Sequence, residues 1–94
     1  NEKNITSLAS FPNPFNLTSS IMFELSKASE INMSVYSITG QKIKEIVSGY
    51  LFSGKHRYQW HGEDTCGGKV ASGTYFVRLK YGMHTQTARV VFIK

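Results

Sequence analysis

Apolar and polar residues alternate with period two along most of the chain. Ile21, Phe23 and Leu25 alternate with Met22 and Glu24, and Ile31, Met33 and Val35 alternate with Asn32 and Ser34. Such alternation marks strands with one face on a core and the other in water. Thr39-Gly40 then supplies a turn. The next run, Lys42 to Val47, is less regular, and Ile43 with Ile46 breaks the alternation, which predicts a bulge. After Ser53-Gly54, one face carries His56, Tyr58 and Trp60, and the other carries Lys55, Arg57 and Gln59. Tyr75, Val77, Leu79 and Tyr81 likewise oppose Thr74, Phe76, Arg78 and Lys80. Tyr81-Gly82-Met83-His84 predicts a short hairpin turn into a last strand, Gln86 to Ile93. Residues Val90 to Ile93 are apolar on both faces and are expected to be well covered. A short first strand near Ile5 to Leu8 brings the number to about seven. No stretch has helical spacing, and turn residues recur every 8–12 positions or so. The expected fold is all-β, an immunoglobulin-like sandwich of about seven antiparallel strands.

Two irregular stretches interrupt this pattern. In "SFPNPFNLTS", residues 10–19, Pro12 and Pro14 lie on either side of Asn13 and between Phe11 and Phe15. Each proline fixes φ, lacks a donor, and pushes the preceding residue toward extended geometry. An extended, polyproline-like clasp is expected, with both phenylalanine rings buried and the backbone at a sheet edge that the prolines keep from recruiting another strand. The second stretch, "HGEDTCGGKVASG" over residues 61–73, carries Gly62, Gly67 and Gly68, which permit positive φ. Asp64 can close an Asx-turn within it. It reads as a self-bonded crossover held by Trp60 before it and Tyr75 after it.

Ninety-four residues provide one domain with one core, and six Phe, five Tyr and one Trp provide material for it. The single domain is expected to span residues 1–94, with the polar opening Asn1-Glu2-Lys3-Asn4 as a linker remnant of something longer. No apolar run approaches the roughly 20 residues of a membrane helix. The net charge of +5 comes from eleven Lys and Arg dispersed along the chain. Dispersion favours a solvated surface over a nucleic-acid footprint. The Lys55/Arg57 and Arg78/Lys80 pairs read as solvated outer faces that discourage edge pairing. Cys66 is alone, so it has no partner for an internal disulfide.

No reaction centre emerges. His56, His61, His84 and Cys66 match no zinc spacing. No serine sits on a nucleophile elbow, and only Glu63-Asp64 are adjacent acids. The expectation is a protein without catalytic residues, metal or cofactor. Tyr58, Trp60, Tyr75 and Tyr81 read as core aromatics before a sugar-stacking row.

Taken in order, "FPNPFN" (11–16), "SSIMFEL" (19–25), "VYSITGQKIKEI" (35–46), "SGKHRYQWHGED" (53–64), "GGKVASGTYFVRL" (67–79) and "ARVVFIK" (88–94) resemble a known family. It is the C-terminal sorting domain of proteins exported by the type IX secretion system of Bacteroidetes and relatives. A close cousin is the immunoglobulin-like domain of the flagellar hook-capping protein. The resemblance implies a seven-stranded sandwich recognised by the export machinery as the tail of a larger passenger. The partners would be type IX components and N-terminal passenger domains. The location would be secreted or at the outer-membrane surface, reached through the periplasm. It also implies recognition roles for Gly73, Tyr75, Arg78, Arg89 and Lys94, and structural roles for Phe11, Pro12, Asn13, Pro14, Phe15, Trp60, Gly62 and Asp64. The chain departs from the family in having Trp60-His61-Gly62 for Trp-Asp-Gly and Thr65 for a second loop acid, which removes ligands from any calcium site there. The alternatives are a structural immunoglobulin-like spacer or hook-cap-like scaffold and, behind these, a carbohydrate-binding accessory module.

Overall fold

A computed structural model describes residues 5–94, with side chains from residue 8. The linker expected over residues 1–4 lies outside the described residues. Seven strands follow one another: β1 (Ile5–Phe11), β2 (Ser19–Leu25), β3 (Ser29–Ser37), β4 (Lys42–Leu51), β5 (Gly54–Trp60), β6 (Gly73–Tyr81) and β7 (His84–Phe92). They form a three-stranded sheet in the order β1-β2-β5 and a four-stranded sheet in the order β4-β3-β6-β7. Every paired neighbour is antiparallel. This is the immunoglobulin-like sandwich that the alternation predicts.

The period-two pattern decides which side chains meet. Ile21, Phe23 and Leu25 of β2 face Ile31, Met33 and Val35 of β3 and Val77, Leu79 and Tyr81 of β6, all buried between the layers. Each such burial stabilises by roughly 1.5–3 kcal/mol. In β4 the two isoleucines that break the pattern are the bulged residues. Met33 pairs with Val47 and Ser34 with Glu45, leaving Ile46 over; Val35 pairs with Lys44 and Tyr36 with Lys42, leaving Ile43 over. The bulges let Ile43, Ile46 and Val47 all pack against the core from one edge strand.

Several expectations are corrected. β1 does not stop at Leu8 but continues to Phe11, and β4 continues to Leu51. Strand geometry therefore carries Phe11 two residues past the exposed Ala9 onto the outer face, where its ring is 68% exposed. Only Phe15 of the two rings is buried. Residues 12–14 form successive bends, with cis bonds before both prolines, in place of an extended strut. Ile93 is half exposed, so the cover over the chain's last residues ends at Phe92. Finally, Lys55 and Arg57 do lie on an edge strand, but Arg78 and Lys80 lie on β6, between β3 and β7, and guard no edge.

Candidate recognition surface

The 12–18 connection, the 38–41 turn and the 61–72 crossover gather at one end of the sandwich, beside the end of β7. Asn13 is the centre of the clasp. Its Nδ2 donates to the Arg89 carbonyl (2.9 Å), and its Oδ1 accepts from the Val91 N–H (2.9 Å). A carboxamide has the donor and acceptor of a peptide group, so this side chain completes the β7 edge as a strand residue would. The backbone then takes over: Phe15 N–H donates to Val91 O (2.9 Å) and Ile93 N–H to Phe15 O (2.8 Å). Pro12 contributes its carbonyl, which accepts from the buried Ser19 hydroxyl (3.1 Å). The Phe15 ring enters an aromatic cluster with Trp60 (5.6 Å) and Phe92 (5.1 Å), and Tyr75 meets Trp60 edge-on at 5.4 Å. Outside the clasp, Pro12, Pro14, Asn16, Leu17 and Ile93 line an open groove of about 590 Å³.

The crossover is held by the residues that the sequence singles out. Trp60 Nε1 donates to Glu63 O (2.8 Å), and the Tyr75 hydroxyl donates to Ala71 O (2.6 Å). Asp64 Oδ1 accepts from the N–H groups of Cys66 (3.0 Å) and Gly68 (2.9 Å), the expected Asx-turn. Gly62 takes φ +70° and has the Phe92 ring against its backbone, so a side chain is excluded there on two grounds. Gly67 also takes positive φ, whereas Gly68 does not. Thr65 closes a circuit with the β4 bulge. The bulged Ile43 turns its carbonyl to Thr65, whose N–H and hydroxyl both donate to it at 3.1 Å.

Glu63 ties the same loop to β4. Its carboxylate accepts from Lys44 Nζ (2.9 Å) and from the His61 N–H (2.9 Å). Desolvation raises its pKa, but the bonds from Lys44 and His61 and the Lys44 charge outweigh that and hold it below the ordinary value. Burial pushes the Tyr75 phenol up from its own ordinary value. The histidines lie apart: His56 stacks on Phe23, His61 meets the Thr18 hydroxyl, and His84 lies tilted against Tyr81. Among the described residues no three His, Cys, Asp or Glu side chains gather to hold a metal ion.

The residues assigned to recognition by resemblance separate into two environments. Tyr75 points inward and is buried, Gly73 opens β6, and the Lys94 N–H is bound by the Ser72 hydroxyl. Arg78 and Arg89 point outward from the four-stranded sheet. There Tyr36, Phe76 and Arg89 stand side by side across β3, β6 and β7, and Arg78 and Thr87 form the next row. The Arg78 guanidinium lies 4.5 Å from the Tyr36 ring centroid. Tyr36 and the Asn13 carboxamide bond escape sequence reasoning, because each depends on the register between distant strands. Tyr58 is half-buried and Trp60, Tyr75 and Tyr81 are buried, so these four form no exposed row.

Residues 13–84 match the model of the FlgD Ig-like domain. The chain belongs to that family. No curated protein matches it by sequence. Among solved structures, dimeric latent PorU from Porphyromonas gingivalis is similar at 13% identity and a TM-score of 0.74, over 92% of this chain and 9% of PorU. PorZ, an essential bacterial surface component of the type-IX secretion system of Porphyromonas gingivalis, is similar at 16% identity and a TM-score of 0.63, over 94% of this chain and 12% of PorZ. The alkylpurine DNA glycosylase AlkC of Pseudomonas fluorescens, bound to DNA containing an abasic site analogue, shares 17% identity at a TM-score of 0.54, over 97% of this chain and 30% of AlkC. The FlgD-like domain thus spans about a tenth of PorU and PorZ, and these likenesses show a shared fold. Among the described residues no helix is long and apolar enough to cross a membrane.

Proposed function

We propose that this FlgD Ig-like domain is a non-catalytic sorting domain, recognised by type IX secretion machinery for export and surface attachment of a larger passenger. What supports this reading most is that PorZ, a surface component of that system, contains a stretch of this fold. The ordered series of motifs that resembles the sorting domains, from "FPNPFN" to "ARVVFIK", supports it further. In this reading the machinery recognises the shape of the sandwich and the chemistry of its last strand. The clasp fixes the backbone from Arg89 to Ile93 and leaves residues Ile93 and Lys94, past the end of β7, exposed. Arg78 and Arg89 offer charge on the adjoining sheet face. Any cleavage is supplied in trans.

The family equally favours a second reading, a scaffold or spacer domain that packs against its neighbours. A fusion experiment separates the two. Residues 1–94, placed after a fluorescent passenger with a periplasmic export signal, are expected to carry it to the surface or medium of a host with the type IX apparatus. Retention in the periplasm, while a known sorting tail is exported in parallel, favours the spacer and overturns the sorting reading. Deleting Arg89 to Lys94 is expected to abolish export, but it also removes Val90 and Phe92 from the core. The double change Ile93→Ser and Lys94→Ala alters the exposed terminal chemistry without touching the buried residues, and is expected to reduce export of a folded fusion.

A further inference from the structure

Dispersed charge in the sequence is gathered charge in the fold. Three acids lie off the outer face of the four-stranded sheet: Glu24 stands directly opposite Lys55 on the other sheet, Glu63 pairs with Lys44, and Asp64 is bound to its own loop. Glu45 does lie on that outer face, opposite Ser34, where its charge is paired with Lys42. On the outer face of the four-stranded sheet, Arg78 and Lys80 lie two residues apart on β6. Arg89 stands on β7 opposite Phe76, diagonal to Arg78. Among the described residues none of these three cations is ion-paired. Glu30 belongs to the same face at its Lys80 end, opposite Tyr50 and two residues from Asn32, the partner of Lys80; Arg78 and Arg89 lie farther along. Thr85 and Thr87 alternate with the cations, opposite Lys80 and Arg78, and both are exposed.

We propose that this face binds an acidic polysaccharide, with Arg78, Lys80 and Arg89 meeting its anionic groups and Thr85 and Thr87 its hydroxyls. Charge complementarity selects a polyanion. A guanidinium engages carboxylate or sulfate with two parallel bonds, and threonine hydroxyls both donate and accept, as sugar hydroxyls do. An acidic peptide fits less well, because an extended peptide gains affinity mainly by pairing its main chain with a free sheet edge. β6 is already paired on both sides, and the edge strand β7 is engaged by Asn13 and Phe15 from Arg89 onward, so the cations are presented mainly as side chains on a sheet face. Single-stranded nucleic acid fits less well because it needs open rings for base stacking, whereas Tyr36 gives a ring face to Arg78 and Phe76 is half-buried. The proposal holds whether the domain sorts a passenger or spaces one.

The test is binding of the purified 94-residue chain to alginate at low and high salt, with neutral dextran, polyglutamate and single-stranded poly-dT as comparators. Alginate is expected to bind in low salt and to be released as salt rises, with dextran inert. The triple change Arg78→Gln, Lys80→Gln, Arg89→Gln is expected to weaken binding by at least about tenfold. The pair Lys55→Gln and Arg57→Gln, on the opposite sheet, is expected to leave it within about twofold. Because Arg78 also packs on Tyr36, Lys80→Gln with Arg89→Gln serves as a second variant, with an unchanged melting temperature and several-fold weaker binding expected. Equal binding by the triple variant, equal binding to dextran, or tighter binding to poly-dT or polyglutamate overturns the proposal.

Discussion

The two ends of the sandwich are built by opposite means. At the clasp end, the two long connections are fastened by side chains: Asn13 ties 12–18 to β7, and Thr65, Glu63, Trp60 and Tyr75 hold the 61–72 crossover. At the other end the connections are two or three residues long, as at 26–28, 52–53 and 82–83. There Phe52 and Met83 project into solvent, and His56 reaches the Phe52 carbonyl. Short turns are held by the strands they join, whereas long connections must be ordered by their own bonds to offset the chain entropy they lose. Sensitivity to substitution should therefore be concentrated at the clasp end.

Trp60→Ala is expected to be the most damaging change. It empties a fully buried site among Phe15, Tyr75 and Phe92 and leaves Glu63 O without its donor, at a cost of about 3–5 kcal/mol in denaturant unfolding. Gly62→Ala comes next. Its new Cβ would lie 2.7 Å from the Phe92 ring at a φ of +70°, and a loss of about 1–3 kcal/mol is expected by the same measurement. Asn13→Ala removes both of its bonds to β7 and should cost about 1–2 kcal/mol, with faster amide exchange at Val91 as the local signature.

Glu63→Gln should act through pH. The carboxyl is held below its ordinary value of 4.5 in the folded protein, so its contribution is fully present above that value and disappears as pH falls below it. The unmodified domain should therefore lose more melting temperature than Glu63→Gln between neutral pH and pH values under 4.5, and parallel curves would contradict the assignment. The smallest effects belong to Phe11→Ala and Met83→Ala, both largely exposed and each expected within about 0.5 kcal/mol of the unmodified protein. A large loss at Met83 would break the contrast between the ends.

Strand number, the inward faces of β2, β3, β5 and β6, and the irregularity of β4 are all legible in the sequence, because period two is a local property. The phenylalanine pair shows where that legibility ends. Phe11 and Phe15 look equivalent beside their prolines, yet one continues the β1 alternation outward while the other turns under the clasp to Trp60. Nothing within five residues of either distinguishes them, since the difference is set by how far β1 pairs with β2. The outer-face cluster is half legible. Arg78 and Lys80 share a face by spacing alone, but bringing Arg89 and Tyr36 beside them requires the β3-β6-β7 register. Likewise, Glu63 reads only as one of two adjacent acids until folding sets Lys44 against it.

The Asn13 carboxamide spans 76 and 78 positions of sequence to reach Arg89 and Val91. Almost the whole chain must be in place before those two bonds can form. During synthesis the clasp, unlike the β1–β2 hairpin, must wait for the last strand, and a copy clipped ahead of residue 89 leaves the Phe15 ring without Phe92 to lie against. The clasp thus couples the two ends of the chain, since the cover over the Phe15 ring is complete only when β7 is in place.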